Sequence, residues 1–141
     1  MKIFVINLQS RSDRRDHINK VLKGFDFEFF AATDGHSFNL PDAYNLKVFN
    51  QWIDPLIGRN ITRGEIGTST SHMMLWKKIA ESDGPAIILE DDNIIVKNFD
   101  INSITEKMKS LDLLYLNYKE MVPGEVVDLE DPELIKPYYP Y

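Results

Sequence analysis

The sequence predicts an α/β protein with a mainly parallel sheet. Apolar runs at residues 3–8, 25–32 and 86–90 have the composition of buried strands. A helical pattern separates the first two runs, and this spacing is typical of a βαβ unit, whose strands pair in parallel. At 141 residues, the chain is expected to form one domain.

The elements of the first half follow from local signals. Ser10 or Ser12 is expected to cap the first helix, and Gly24 to end it. The TDG sequence at 33–35 predicts a turn after the second strand. A short helix is predicted through residues 43–52, where the pattern is weaker.

The second half begins with the clearest helix signal. Thr62 followed by Glu65 has the pattern of a capping box and predicts a helix from about residue 63 to residue 82. Ser103 is expected to cap a further helix. A fourth strand is predicted at 112–118 and a weak fifth at 124–130, while the proline-rich end at 131–141 is expected to be a tail or a covering loop.

Composition excludes several classes of protein. The chain has no cysteine, which excludes a disulfide scaffold and a thiolate metal site. Its formal net charge of -6 argues against non-specific nucleic-acid binding. No apolar run approaches the roughly 20 residues of a membrane helix. We therefore expect a cytoplasmic protein without a transmembrane segment.

Three consecutive carboxylates, Glu90, Asp91 and Asp92, follow the third strand directly. If the extended backbone continues, Glu90 and Asp92 point to one side of the sheet and Asp91 to the other. Hard oxygen ligands of this kind suit Mg²⁺ or Mn²⁺. A solvated acidic turn fits the same residues, and this segment alone leaves both interpretations open.

Arginines begin the first helix, at positions 11, 14 and 15. A helix N-terminus with added arginines is a good anion site, although the same side chains would also suit a solvated surface next to Asp13 and Asp16. Because the helix dipole disfavours cations at this end, removing Arg14 is expected to stabilise the empty protein slightly.

Two further residues have a functional and a structural interpretation. Asp34 follows the second strand and would either accept hydrogen bonds from a ribose or shape its turn. His72 would be a ligand, an acid–base group or a half-buried packing residue. Because ligands bind at the carboxyl ends of parallel strands, the acids, arginines and Asp34 together predict a site for a metal, a diphosphate and a ribose. The implied ligand is a nucleoside diphosphate derivative.

Five segments in the order of the chain carry a resemblance to a known family: FVINLQSRSDRR, FFAATDG, ITRGEIGTSTSHMMLWKKI, AIILEDDNII and DLLYLNY. In these segments, which cover most of residues 3–118, the sequence resembles glycosyltransferase family 25, which contains lipooligosaccharide galactosyltransferases and collagen-modifying relatives. It implies a GT-A fold, which is Rossmann-like, together with a UDP-sugar donor such as UDP-galactose and a divalent cation, Mn²⁺ or Mg²⁺.

The resemblance also implies roles for individual residues. Glu90 and Asp92 stand where the family's acids hold the metal, and Asp91 lies between them. Asn7, Asp13 and Arg14 match the nucleotide-side motif, and Asp34 matches the ribose position. Glu65, Ser71 and His72 match the helix motif, whose exact role is left open. The residues predicted to bind the nucleotide sugar are Asn7, Asp13, Arg14, Arg15, Asp34, Glu65, His72 and Asp91.

The implied activity is metal-dependent transfer of a hexose, galactose, from a UDP-sugar to a glycan acceptor such as lipooligosaccharide. We expect a single domain over residues 1–141, with the nucleotide-sugar-binding part at 1–118 and a tail at 119–141. Family members usually continue further, so the chain is expected to be truncated at its C-terminus and to transfer sugar poorly by itself. A homodimer would cover apolar area left exposed.

Two alternatives to an active transferase remain. The first is a non-catalytic nucleotide- and metal-binding module, either a fragment or a subunit that a partner completes. The second is a response-regulator receiver. An apolar strand that ends in EDD is similar to the segment that forms the acidic pocket of a receiver. In a receiver this pocket follows the first strand, whereas here the acids come after about 90 residues, which disfavours that alternative.

Overall fold

The computed structural model describes residues 1–36, 53–92, 100–114 and 116, and the backbone of 124–126 and 135–137. The chain divides into two compact units, Met1–Thr105 and Glu106–Tyr141. The helix predicted at 43–52 lies outside the described residues. No helix in the described ranges is long and apolar enough to cross a membrane.

A parallel sheet forms the centre of the first unit. Its strands are β1 at Lys2–Asn7, β2 at Phe27–Ala31 and β3 at Ala86–Glu90, in the order β2-β1-β3. β1 pairs in parallel with both neighbours. The predicted α/β fold class, with a parallel sheet and a Rossmann-like arrangement of flanking helices, is confirmed.

One face of the sheet is covered by α1, which spans Ser12–Val21. Its buried Ile18 packs in one cluster with Ile3, Val5 and Ile87 of the sheet. Gly24 has a φ of 96° in the turn that follows, a conformation that glycine adopts without steric cost. The strand–helix–strand prediction is therefore confirmed.

The predicted serine cap of α1 is wrong. Arg11 occupies the N-cap position and makes no side-chain cap bond. The N–H of Arg11 donates to the carbonyl of Leu8 at 2.9 Å, so a turn precedes the helix and moves its start beyond Ser10. Ser12 is already the first helical residue.

The opposite face of the sheet is covered by α2, which spans Arg63–Ala80. Its buried Leu75 packs with Phe4 and Ile6 of β1. Thr62 caps the helix, and the reciprocal bonds with Glu65 form the predicted capping box. Because successive residues of β1 alternate between the two clusters, the strand is buried on both faces, as its continuous apolar sequence indicates.

A short helix, α3 at Ile101–Lys107, continues into a 3₁₀ turn at Met108–Ser110. The predicted cap at Ser103 is wrong, because Ser103 lies inside this helix. Asp100 provides the cap, since its carboxylate accepts from the N–H of Asn102 at 2.9 Å. Ile101 and Ile104 pack against the cluster on the α1 face.

The second unit contains an antiparallel pair, β4 at Gly124–Val126 and β5 at Ile135–Pro137. The weak strand predicted at 124–130 is confirmed over its first three residues. The tail prediction is wrong at 135–137, because Pro137 sits at the end of a two-stranded pair, where a missing N–H is tolerated. The strand predicted at 112–118 is not formed at 112–114 or 116, and Leu113 is 62% exposed.

Candidate functional site

A buried carboxylate joins three elements at the carboxyl edge of the sheet. Asp91 follows β3 and is only 7% exposed. It accepts hydrogen bonds from the Asn7 amide at 2.8 Å and from the Arg14 guanidinium at 2.7 Å. Asn7 ends β1, and Arg14 lies in the first turn of α1. The contacts therefore connect β1, α1 and β3 at the predicted ligand edge, and we call these three residues the Asp91 network.

Arg14 is paired rather than solvated. The same Nη1 atom lies 2.7 Å from Asp91 Oδ1 and 3.3 Å from Asp92 Oδ2. The hydrogen bond to Asp91 raises the pKa of Arg14. The expectation that losing Arg14 stabilises the empty protein counted only the helix dipole. Since Arg14 neutralises a buried carboxylate, the structure supports the opposite sign, because an unpaired buried charge costs more than the dipole repulsion.

The Asn7 amide is held at both ends. Its oxygen accepts from Arg15 Nε at 3.1 Å, while its nitrogen also donates to the carbonyl of Arg11 at 3.3 Å. The Arg15 guanidinium lies 4.4 Å from the centre of the Phe29 ring, which is a cation–π contact. Arg15 therefore supports the orientation in which Asn7 donates to Asp91.

Asp13 lies apart from the Asp91 network. It forms a two-point pair with Arg11, at 2.9 and 2.7 Å, and both side chains are largely exposed. The Arg11 guanidinium lowers the pKa of Asp13 to about 2. Its nucleotide-binding role stays a prediction.

The acidic triple does not continue as extended strand. β3 ends at Glu90, and Asp91 and Asp92 lie in a turn. Asp92 joins Asp91 beside Arg14 of α1, whereas Glu90 contacts His72 Nε2 of α2 at 3.1 Å. Because the strand ends at Glu90, the condition for placing Glu90 and Asp92 on one side of an extended strand is not met. The turn ends the alternation on which that prediction depended.

The donor chemistry still suits a hard divalent cation. The side chains of Glu90 and Asp92 are 49% and 59% exposed, so both carboxylates are accessible. Within residues 1–36, 53–92, 100–114 and 116, no group of three or more His, Cys, Asp and Glu side chains could hold a metal. Mg²⁺ commonly takes only one or two protein carboxylates and completes its shell with substrate phosphate and water. The assignment of Glu90 and Asp92 to a metal therefore remains a prediction.

The loop after β2 is seated on α2. The N–H of Thr33 donates to Ser71 Oγ at 2.8 Å. A side chain on Gly67 would place its Cβ 2.7 Å from both Gly35 N and Thr33 O. The Asp34 carboxylate accepts from the N–H of His36 at 2.9 Å. Asp34 therefore shapes its own turn, on a loop whose backbone touches the helix.

Glu65 has a structural role at the start of α2. It pairs with Arg59 through two contacts, at 2.9 and 2.7 Å, and accepts from the N–H of Thr62 at 2.7 Å. The Arg59 guanidinium lowers the pKa of Glu65 well below its usual range. Its nucleotide-binding role stays a prediction. Sequence reasoning missed the roles of Arg59, Gly35 and Gly67. Of these three, Gly67 had a visible signal, because it is the second glycine of the GEIG sequence at 64–67.

The structure thus groups the predicted residues in three places. The first holds Asn7, Arg14, Arg15, Asp91 and Asp92, the second holds the His72–Glu90 pair, and the third holds Asp34 and Ser71. All three surround the carboxyl ends of β1, β2 and β3.

Comparison with known proteins decides the family. The family model described as "Glycosyltransferase family 25 (LPS biosynthesis protein)" matches residues 1–131. The chain belongs to glycosyltransferase family 25. The three groups of site residues therefore lie at the carboxyl edge of a family 25 domain.

The similar curated proteins are much longer than this chain. Human "Procollagen galactosyltransferase 2" is 30% identical over 131 residues, which cover 85% of this chain and 21% of the relative. "Procollagen lysyl hydroxylase and glycosyltransferase" of Acanthamoeba polyphaga mimivirus is 31% identical and covers 86% of this chain and 16% of the relative. Human "Inactive glycosyltransferase 25 family member 3" is 30% identical, and the alignment covers 99% of this chain and 26% of the relative. The chain thus spans roughly a quarter or less of these proteins.

Proposed function

We propose that this chain binds a UDP-sugar at the carboxyl edge of its sheet. The bound sugar, the hexose galactose, would then be transferred in a metal-dependent reaction to a glycan acceptor such as lipooligosaccharide. The observation that carries the proposal is the Asp91 network. It brings a guanidinium and an accessible carboxylate, Asp92, to the edge where parallel sheets bind nucleotides.

The comparisons support the two finer parts of the proposal. The curated relatives include galactosyltransferases, which favours galactose as the transferred sugar. The family description names LPS biosynthesis, which favours a glycan acceptor. Procollagen in the relatives' names makes a collagen peptide the natural second acceptor to assay.

In the proposed reaction, an acceptor hydroxyl attacks the anomeric carbon and gives up its proton to a base or to water, while the bond to UDP breaks with its electron pair on the leaving phosphate. Arg14 faces the negative charge that develops there, in the orientation that Asp91 and Asn7 fix before the substrate arrives. Glu90 and Asp92 would hold the divalent cation, which when bound offsets charge on the diphosphate. Asp34 would accept from the ribose hydroxyls.

The metal requirement is tested by calorimetric titration of UDP into the protein with Mn²⁺ and then with excess chelator. We expect UDP to bind more tightly with Mn²⁺. Asp92→Asn should remove most of that difference without unfolding the protein, since it removes charge and not volume. The matched control is Asp83→Asn, because Asp83 lines a small cavity with Lys2 and Ala86 at the amino end of the sheet. Equal UDP affinity under both conditions in the wild type would refute metal dependence.

Transfer is tested with UDP-galactose, Mn²⁺ and a panel of galactose-terminated saccharides, glucose-terminated saccharides and a collagen peptide. Release of UDP that rises with one class of acceptor would support the proposal and name the acceptor class. UDP-glucose in parallel reactions tests the choice of sugar.

A second candidate is a non-catalytic nucleotide- and metal-binding module. Its support is the human relative named "Inactive glycosyltransferase 25 family member 3", which aligns with 99% of this chain. This candidate predicts UDP binding with neither donor hydrolysis nor transfer, so the same two assays separate it from an active transferase.

A further inference from the structure

We propose that Ser71 is a positioning residue that holds the loop carrying Asp34 in place for the ribose of the nucleotide. This inference rests on the proposed function, because it concerns the ribose end of the same site. It assigns a task to a buried hydroxyl of α2, which touches the loop and is too far inside the protein to meet a ligand itself.

The Ser71 hydroxyl connects the helix to the loop. It donates to the carbonyl of Gly67 at 2.7 Å, one turn earlier in α2, and accepts from the N–H of Thr33 at 2.8 Å. Ser71 is 0% exposed, so water does not compete for these bonds. Without the hydroxyl, the partly buried Thr33 N–H would lose its partner at the point where the chain leaves β2.

Two glycines fix the distance between the loop and α2. A Cβ on Gly35 would overlap the carbonyl oxygen of Arg63, and one on Gly67 would lie 2.7 Å from Gly35 N. The two backbones are therefore in direct contact, and neither position has room for a side chain. With Thr33 bonded to Ser71, the loop is held on both sides of Asp34.

Asp34 itself is suited to a diol. Its side chain is 58% exposed, and its carboxylate accepts from the N–H of His36 through Oδ1, which fixes its rotamer. A carboxylate has up to four acceptor sites, so it can also accept from vicinal ribose hydroxyls. Its aim depends on a backbone whose position Ser71 and the glycine contact determine.

The neighbouring Thr70 provides a matched control. It is also 0% exposed, and its hydroxyl donates to the carbonyl of Ile66 at 2.8 Å, which is the same bond within the helix. Among the described residues, the Ser71 hydroxyl forms a hydrogen bond to the loop, whereas the Thr70 hydroxyl bonds within the helix. Comparing Ser71→Ala with Thr70→Val separates the contact to the loop from the loss of a buried helix hydroxyl.

The experiment measures the affinities of UDP and of 2′,3′-dideoxyuridine diphosphate by calorimetry with Mn²⁺ present. The measured quantity is the ratio of the two affinities, which does not depend on the fraction of folded protein. The wild type should prefer UDP, and Asp34→Asn should remove most of that preference. Ser71→Ala should lower the ratio by about 3- to 10-fold, the range of one neutral hydrogen bond. Thr70→Val should leave it unchanged.

Ser71→Cys keeps a weak acceptor of similar size, so its affinity ratio is expected to lie between those of the wild type and Ser71→Ala. If Ser71→Ala does not fold, Ser71→Cys replaces it in the comparison. A wild-type ratio retained in the folded Ser71 variant would overturn the inference while leaving the proposed function standing. Equal losses in Ser71→Ala and Thr70→Val would overturn it too. A wild type that binds neither nucleotide would instead refute the proposed function.

Discussion

Replacing Arg14 by alanine is expected to destabilise the folded protein by about 2 kcal/mol. In the wild type, the Arg14 guanidinium lies 2.7 Å from the carboxylate of Asp91, which is 7% exposed. The variant leaves that carboxylate with the Asn7 amide and without a cation among its described contacts. The sign is opposite to the one that the helix dipole alone predicts.

The magnitude follows from the burial of the two partners. Removing one partner of a fully buried pair costs about 3 to 5 kcal/mol. Here the Arg14 side chain is 34% exposed, so water screens part of the interaction, and Asp91 keeps its bond to Asn7. A hydrogen bond to a charged group contributes about 1.5 to 3 kcal/mol, and relief of the dipole repulsion returns a few tenths. A loss near 2 kcal/mol corresponds to a fall in Tm of roughly 8 °C for a domain of this size.

The assay is thermal unfolding of the wild type, Arg14→Ala and Arg11→Ala. Arg11 is the matched control, because it lies three residues earlier and pairs with the exposed Asp13. Its loss should change Tm little, since exposed pairs contribute little to stability. Adding Asp91→Asn to Arg14→Ala should recover part of the loss, because the buried charge is gone. If Arg14→Ala melts with the wild type, the argument from the buried carboxylate is wrong.

Two further predictions concern α2. Gly67→Ala should destabilise the protein by about 1 to 3 kcal/mol or more, because its Cβ would lie 2.7 Å from backbone atoms. Gly64→Ala is the control and should be neutral or stabilising, because the nearest atom to its Cβ is 3.9 Å away. Urea unfolding of both variants measures the difference. The lowered pKa of Glu65 means that its stabilisation is complete above the ordinary value of 4.5 and is lost as the pH falls through its folded pKa. The Tm of Glu65→Gln should therefore fall less than that of the wild type between about pH 6 and about pH 3, and equal falls would contradict the assignment.

Local signals predicted the elements that depend on neighbouring residues. The capping box of Thr62 and Glu65 needs only four consecutive residues, and α2 begins where it places the helix. The strands of the sheet were equally visible, because their apolar residues pack in the clusters on both faces of the sheet. Where two local signals competed, the prediction failed: Ser103 and Asp100 are both good caps, and the helix begins at the earlier one.

The site was harder to predict because its contacts are distant in sequence. Asp91 lies 84 residues from Asn7 and 77 from Arg14, and nothing local shows that the middle acid is the buried one. The alternation rule failed at Asp92, because the strand ends two residues earlier. Charge pattern placed the arginines at the correct edge but gave no sign that Arg14 is paired. The Gly35–Gly67 contact involves two glycines whose common role depends on how the loop meets the helix.

The central position of β1 has a consequence for how the chain folds. Ile3 pairs with Phe27, 24 residues away, and with Ile87, 84 residues away. The entropic cost of closing the longer loop, expressed as a free energy, exceeds that of the shorter loop by about 1 kcal/mol, from (3/2)RT ln(84/24). The β1–α1–β2 unit is thus the less costly pairing to nucleate, and addition of β3 is the non-local step. Because Asp91 reaches Asn7 only when β3 is paired, the Asp91 network, and with it the proposed nucleotide site, is completed at that later step and not in the β1–α1–β2 unit.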